Sequence, residues 1–440
     1  MANSAPMKST WLTQTRDGVV SFVRITDWTQ VVIIAALCVI GYFSILSSGA
    51  LRESDFHQQQ LVFMIIGWMA YWAVSVLDYR EIRRYARWIY LGGVLLLIPI
   101  FLCSVFETNL GSIIRSVYGA RRWINLGLFS IQPSEFAKVT TLIFLATFLA
   151  RSHVGRLNES WRALLGAMGI TLAPFVLIFK QPDLGSAIIF VPLSAALLFA
   201  ANLSRRFFIA VGVALVILLS LVAIDLSEYA SRVQAYALAQ PSDRNPAVAV
   251  RGDHEEQAWF ILLKDYQRER ILAFVAPEVI DPRGVGASWQ VRQALIAVGK
   301  GGFSGAGFGE GSQARLGYLP EAAAHNDFVF SGYAEEQGFV GSIVLVSLYG
   351  LLLWRILRTA LRVVDRFGAY LAVGVAAILG AHIFVNIGMN LNLMPVTGVP
   401  LPLLSYGGSF ILSCFLLLGL VQSVHRHTAG GEGGGLPATA

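Results

Sequence analysis

The 440-residue chain is 55% hydrophobic and only 14% charged, with a mean hydropathy of +0.62. That balance excludes a soluble globular domain and points to a chain that crosses a membrane many times. The formal net charge of +6 is no nucleic-acid signature here, because basic loops are how polytopic proteins set their orientation.

Residues 1–28 carry Lys8, Arg16 and Arg24 and no apolar run that ends in a small-residue cleavage site. They read as a cytoplasmic N-terminal segment, with the first spanning helix directing insertion. A spanning helix needs about 20 mostly apolar residues. Ten segments qualify, near 29–48, 60–77, 88–106, 133–150, 162–179, 185–202, 206–225, 328–354, 368–391 and 403–424. The expected fold class is therefore an all-α polytopic membrane protein, with helices 1–7 in 29–225 and helices 8–10 in 327–424.

Charge sets the orientation. Arg80, Arg83, Arg84 and Arg87 fall between helices two and three, and Arg151, Arg156 and Arg162 between four and five. Arg205 and Arg206 fall between six and seven, and Arg355, Arg358, Arg362 and Arg366 between eight and nine. These loops share one side, expected to be the cytoplasm, with both termini there. Residues 425–440, with the run Gly430 to Gly435 broken only by Glu432, read as a disordered cytoplasmic tail. Cys38, Cys103 and Cys414 lie in or near apolar runs and read as small buried hydrophobes.

The other side holds the segment Glu107 to Gln132, the turn Lys180-Gln181-Pro182-Asp183, and the insert 226–326 between helices seven and eight. Long loops translocate with little regard to charge, so the arginines of that insert do not contradict the orientation. Within it, 256–276 and 289–299 fit short amphipathic helices, and the glycine-rich run Gly299 to Gly309 is predicted to be loop.

Several polar constellations interrupt the apolar pattern. Arg121-Arg122 precedes Gln132-Pro133-Ser134-Glu135-Phe136-Ala137-Lys138, where Pro133 suits a first helical position and Glu135 and Lys138 share a face. This set could form an anion site at a helix start, or an ion pair near the headgroups with arginines on lipid phosphates. Asp183 could cap the next helix or line a polar cavity beside Lys138. Among the insert's carboxylates, Asp281 is followed by Pro282, Gly284 and Gly286, a stiff and then permissive backbone that can aim one acid. His325 and Asp327 could pair, or Asp327 could cap helix eight beside an exposed histidine. The stretch Pro395 to Ser409 has three prolines and three glycines, irregular backbone that a membrane tolerates only against protein or a polar cavity. No metal-ligand spacing, nucleotide loop or redox motif is present.

In order along the chain, these motifs resemble the SEDS family (shape, elongation, division and sporulation). The resemblance is carried by Gly119-Ala120-Arg121-Arg122-Trp123, Gln132 to Lys138, Gln181-Pro182-Asp183-Leu184-Gly185, Asp265-Tyr266-Gln267-Arg268 and Asp281-Pro282. It continues through Tyr318-Leu319-Pro320-Glu321, Asp327-Phe328 and Pro402-Leu403-Leu404-Ser405-Tyr406-Gly407-Gly408-Ser409. Val385-Asn386-Ile387-Gly388-Met389 resembles the RodA branch more than the FtsW branch.

The resemblance implies a ten-helix peptidoglycan glycosyltransferase of the bacterial cytoplasmic membrane. Such enzymes polymerise lipid II at its outer face for cell elongation and rod shape, with the chemistry in the extracytoplasmic insert 226–326. It implies partnership with a class B penicillin-binding protein, a transpeptidase, and with other elongation-complex membrane proteins; no nucleic acid is involved. It places the essential loop aspartate at Asp281 and substrate-binding groups at Arg122, Glu135, Lys138, Asp183, Gln132 and Gln293. Pro402, Ser405 and Gly407 become cavity-shaping positions. It fixes no cofactor and no protein-held metal, and leaves room for a divalent cation, magnesium or manganese, at the pyrophosphate.

The chain departs from the family pattern in places. The family commonly has Tyr-His where this chain has Ala287-Ser288, and Ser where it has Ala294. Ala322-Ala323-Ala324 lengthens the approach to His325, and the region 239–253 is enlarged. A lipid II flippase, a division-type relative and a non-catalytic scaffold are the rival readings. The motifs cluster on the outer side and no inverted repeat is visible, which disfavours a flippase.

Overall fold

The computed structural model describes residues 23–49, 55–106, 108, 110–111, 113–114, 121–127, 129–239, 246–257, 263–282, 284, 286, 288–318 and 324–429. Among them, nine helices are long and apolar enough to cross a membrane. They are α1 (Trp28–Gly49), α2 (Phe56–Val76), α3 (Tyr79–Val105), α4 (Pro133–Arg151) and α5 (Leu157–Phe179), then α8 (Arg205–Ala239), α15 (Val329–Arg362), α16 (Arg366–Asn390) and α17 (Gly408–Ala429). A tenth apolar rod, Leu184–Ala200, is shorter. It divides into α6 (Leu184–Ile188) and α7 (Phe190–Ala200). Pro192 lies four residues after Ile188, whose carbonyl therefore has no N–H to accept. The chain is an all-α multi-pass membrane protein.

The helices α4, α16 and α17 form the centre. Of their most apolar stretches, 72%, 61% and 78% are buried, against none for α8. Small residues make the close approaches. Gly93 of α3 faces Thr140 of α4, and Gly67 of α2 faces the Phe415 ring of α17. Tyr71, Leu142, Phe367 and Phe415 are almost fully buried in the continuous core between them. Such interfaces rest on packing, since lipid tails are as apolar as the side chains they would replace.

Several helix starts fall earlier than the apolar runs predict. Helix α3 begins at Tyr79, not near 88, with Asp78 capping it through Arg80 N at 2.9 Å. Arg80, Arg83, Arg84 and Arg87 are therefore in its first turns and not in a loop. Arginine is a good helix former whose stem can reach back to the headgroups, so basic residues prolong a spanning helix. Arg151, Arg162, Arg355, Arg358 and Arg362 are helical for the same reason. The last helix runs from Gly408 to Ala429, not 403–424, so 425–429 belong to it. The rest of the expected tail, residues 430–440, lies outside the described residues, as do residues 1–22.

The segment after helix seven is largely helical. Helix α8 passes the expected boundary at 225 and continues to Ala239. It is followed by α9 (Pro246–Val250), α10 (Asp253–Gln257), α11 (Asp265–Val275) and α12 (Pro277–Ile280). Residues 240–245, the heart of the enlarged region, lie outside the described residues. Leu226, Tyr229, Val233, Ala247, Val250, Leu272, Val279 and Ile280 form a separate apolar cluster. Beside it, Arg268 is wholly buried and bonds Asp225 at 2.9 Å and Asp265 at 2.6 Å, while His254 Nε2 lies 2.9 Å from Asp225.

Two further helices, α13 (Trp289–Gly301) and α14 (Ser312–Arg315), lead back to the bundle. Gly299, Lys300 and Gly301 form the last turn of α13, so the glycine run becomes loop only from Gly302. That loop fills a break in α15. Gly338 has φ +64° and ψ −164°, which interrupts the helix. The N–H groups of Ala306 and Gly307 donate to the carbonyls of Glu335 and Glu336 at 2.9 and 3.0 Å. Phe339 and Val340 donate to the carbonyls of Gly302 and Phe303 at 2.9 and 3.2 Å. A Cβ on Gly338 would collide with Gly305 N, so glycine is required there.

Candidate active site

At the end of the bundle opposite the arginine-rich helix starts, a two-stranded ribbon sets the first group. Strand β1 (Ile124–Asn125) pairs antiparallel with β2 (Ser130–Ile131), with Ile124 opposite Ile131. Arg122 and Gln132 therefore leave the same end of the ribbon. Pro133 follows at the first helical position of α4, where its missing N–H costs nothing. Gln132 Nε2 donates to Asp183 Oδ2 at 3.0 Å, and Ser134 Oγ does so at 3.3 Å. Asp183 Oδ1 accepts from Ser186 N at 3.3 Å, which caps α6. The Arg122 guanidinium lies 3.8 Å from Asp183 and donates to the Pro182 carbonyl. Asp183 is thus a helix cap and a member of a polar cluster at once.

Glu135 and Lys138 do share a face, but they turn inward. Lys138 Nζ donates to Glu135 Oε1 at 2.8 Å and lies 2.9 Å from His382 Nε2. His382 Nδ1 lies 3.1 Å from the Pro400 carbonyl. That oxygen only accepts, so Nδ1 carries the hydrogen and Nε2 accepts from the ammonium. Lys138 and Glu135 are 1% and 2% exposed, which rules out an ion pair held among lipid headgroups. Sequence reasoning missed His382, although an ionisable group within the apolar run of a spanning helix is itself a signal.

Asp281 closes α12 and is 7% exposed. Its Oδ2 accepts from Gly286 N at 2.8 Å, Ser288 N at 3.2 Å and Ser288 Oγ at 2.7 Å. Gly284 supplies the positive φ of +67° that the turn needs. Ser288, the departure from the family pattern, is thus the side chain that grips the acid. Arg283, Val285 and Ala287 lie outside the described residues, as do Gly119-Ala120 and Leu319 to Ala323.

Helix α13 follows this loop and connects it to the bundle. Gln293 is buried on it at 7% exposure, and its neighbour Ala294 packs against Ala324, Phe328 and Val396. His325 is buried, not exposed, stacked on Phe56 at 4.4 Å between ring centres and edge-on to Tyr406. It does not turn toward Asp327. The Asp327 carbonyl accepts from Asn386 Nδ2 at 3.0 Å and Asn390 Nδ2 at 2.9 Å. Asn386, the asparagine of the branch motif, also donates to the Val399 carbonyl at 2.7 Å.

The irregular stretch before α17 is packed against protein. The Pro402 carbonyl accepts from Tyr349 OH at 2.6 Å. Ser405 Oγ donates to the Asn326 carbonyl at 2.6 Å and accepts from Leu401 N at 2.8 Å. The Gly407 carbonyl accepts from Ile411 N at 2.9 Å, immediately before the last helix. A Cβ on Gly185 would stand 2.5 Å from the Thr397 carbonyl, so α6 abuts this stretch directly. The structure therefore gathers Arg122, Gln132, Ser134, Asp183, Asp327 and the 397–398 turn, with Glu135, Lys138 and His382 behind them. Asp281 stands on the neighbouring loop that enters α13. Farther along α6 and α7, a groove of about 480 Å³ opens against α16. Ile188, Pro192, Ala196, Ala377, Gly380 and Phe384 line it.

The family model for FtsW, RodA and SpoVE cell cycle proteins matches residues 26–246 and 253–430. The peptidoglycan glycosyltransferase RodA of Treponema pallidum (strain Nichols) is 32% identical over 439 residues, covering 91% of this chain and 97% of its own. The peptidoglycan glycosyltransferase MrdB of Escherichia coli K12 is 32% identical over 401 residues, covering 91% of this chain and 94% of its own. Among solved structures, a chain from a peptidoglycan synthase complex that coordinates polymerization and crosslinking superposes with a TM-score of 0.68. It is 28% identical and covers 92% of this chain and 98% of its own. The chain belongs to the FtsW, RodA and SpoVE family, whose motifs its sequence carries in order.

Proposed function

We propose that this protein polymerises lipid II into glycan strands at the outer face of the bacterial cytoplasmic membrane, in cell elongation. It is a peptidoglycan glycosyltransferase, and the observation that carries this is its near full-length relation to two proteins of that activity. In this reading both termini are cytoplasmic, Leu184–Ala200 completes a set of ten spanning helices, and the segment from α9 to α14 faces outward. The partner is a class B penicillin-binding protein that crosslinks the strands, alongside other membrane proteins of the elongation machinery.

The reaction has two demands. The 4-hydroxyl of one lipid-linked disaccharide forms a bond to the anomeric carbon of another, and its proton must go to a base. The bond from that carbon to the lipid diphosphate breaks, and the departing charge must be met by cations. We assign the base to Asp281. Three donors on one oxygen fix the plane of its carboxylate, which gives the orientation a base requires. Arg122, half-anchored at Pro182 and Asp183, faces the diphosphate. Lys138 adds its charge from behind, with Glu135 and His382 holding it. Gln132 and Asp183 shape the wall beside Arg122, Gln293 lines the α13 side, and the apolar groove takes the isoprenoid tails.

Among the described residues, no three His, Cys, Asp or Glu side chains are grouped to hold a metal ion. A divalent cation, magnesium or manganese, enters this proposal only as a counter-ion carried in on the diphosphate.

The test is lipid II polymerisation by purified full-length protein with its partner, for wild type, Asp281→Asn and Asp281→Ala. Both variants should make no polymer while still folding and binding the partner. Normal polymer from Asp281→Ala would sink the base assignment, and a wild-type protein that makes none would revive the scaffold reading.

A further inference from the structure

Asp327 is the residue that the reading above leaves without a task. Its Oδ1 is shut off from solvent and has no hydrogen-bond partner among the described residues, and no other carboxylate oxygen there shares that state. A buried acceptor left unpaired is costly, so an unpaired one in a native fold calls for an explanation. The backbone around it is firmly held, because Asn386 and Asn390 both grip its carbonyl. The side chain is thus aimed by a fixed main chain and yet bonded to nothing at Oδ1.

Two more unpaired buried atoms surround the same place. Arg122 Nε and Thr397 Oγ1 also lack partners among the described residues. Arg122 lies beside Asp183, and Thr397 presses its carbonyl on Gly185 of α6. Gly398, next to Thr397, is so near that a Cβ there would stand 3.6 Å from Asp327 Oδ2. One acceptor, one donor and one hydroxyl therefore stand unpaired around Asp183, on three segments far apart in sequence.

We propose that Asp327 is a substrate-contacting residue, whose carboxylate accepts a hydrogen bond from a hydroxyl or amide of the saccharide while Arg122 holds the adjoining diphosphate. This rests on the polymerase reading and adds a residue to its site. A saccharide diphosphate has the complementary set, with N–H and O–H donors for the acid and oxygens for the guanidinium. Charge supports the role. Burial pushes the Asp327 carboxyl up to about 6, Arg122 opposes that rise and Asp183 adds to it. Among the described residues, no other charged group acts on it. Helix α16 presents Asn386 and Asn390, the 397–398 turn presents Thr397, and α13 presents Ala294 to the adjacent Phe328. His325 turns to Phe56 and Tyr406 instead.

The experiment measures kcat and KM for lipid II from pH 5 to 8 in wild type, Asp327→Asn and Asp327→Ala, as full-length protein with the partner. Unfolding temperature in detergent is read in parallel. Loss of a hydrogen bond to a charged group should lower kcat/KM of Asp327→Ala by roughly ten- to a hundredfold. The wild-type decline below about pH 6 should be missing in both variants, since neither has a carboxyl to protonate. Unfolding temperature should stay level or rise in Asp327→Asn, because a desolvated, unpaired charge has been removed. Unchanged kcat/KM in Asp327→Ala, or activity that falls together with unfolding temperature in both variants, would overturn the proposal. A wild-type protein that makes no polymer would overturn the polymerase reading as well, whereas active wild type with an unaffected Asp327→Ala overturns this one alone.

Discussion

Replacing Lys138 with methionine tests whether the buried ion pair is what the site is built on. Methionine keeps the unbranched stem and removes only the ammonium. In the native structure that ammonium bonds Glu135 at 2.8 Å and lies 2.9 Å from His382, with under 3% of either ionic partner exposed. Without it, Glu135 is left buried and unpaired, apart from a long 3.4 Å contact from Ser413. Stranding one member of a buried pair costs about 3–5 kcal/mol, whereas replacing both members with apolar groups of similar volume is often close to neutral. Lys138→Met should therefore be destabilised by about that amount, and Lys138→Met combined with Glu135→Leu should recover most of it. A coupling of about 3 kcal/mol stands well above the ~0.5 kcal/mol scatter of independent sites. The assay is denaturant unfolding in detergent micelles for the two single variants and the double. Polymerisation is measured on each, and should stay low in the double because the charge behind the diphosphate is gone. A Lys138→Met protein as stable as wild type would refute the pairing. It would mean that the amine is free to meet substrate directly.

Two further outcomes follow from the segment that carries Asp281. Ser288→Ala removes the 2.7 Å hydroxyl bond to that carboxylate, a contact to a charged group worth about 1.5–3 kcal/mol. Polymerisation rates should fall roughly ten- to a hundredfold, and Ser288→Thr, which keeps the hydroxyl, should stay near wild type. Arg268→Met strands Asp225 and Asp265 in a buried setting and should loosen α8 to α12 by about 3–5 kcal/mol. Limited proteolysis should then cut within 226–282 much faster than in wild type, while the spanning core stays intact.

The apolar runs revealed the membrane class and the order of the helices, because the thickness of a bilayer imposes a minimum length that composition displays directly. They misplaced helix ends where arginines sit. Arg80 to Arg87 interrupt an apolar run without interrupting hydrogen bonding, so hydropathy stops earlier than the helix does. Site residues were legible as types and not as partners. Gln132 and Asp183 are 51 positions apart, and Lys138 and His382 are 244 apart, so no local spacing could join them. Asp281 was visible through its proline and glycines, but the grip of Ser288 depends on a turn that closes seven residues later. Asp327 looked like a helix cap, and only the packing of α16 and the 397–398 turn shows its main chain held by Asn386 and Asn390 while its Oδ1 has no partner among the described residues.

The break at Gly338 need not make α15 soft. Where a continuous helix would bond along itself, the loop from Gly302 to Gly307 supplies both the missing donors and the missing acceptors. It acts as a splint across a fracture. The two halves of α15 and the loop then share one set of backbone bonds, so they open together or not at all. Helix α13 enters that splint at Gly301, pressed on the Ala334 carbonyl, and leaves the Asp281 loop at its other end. The first half of α15, the loop and α13 thus form one bonded and packed unit that ends at the Asp281 loop. Phe339, Val340 and Ile343 stand exposed just past the break, on the half of α15 whose first N–H groups the loop carbonyls hold.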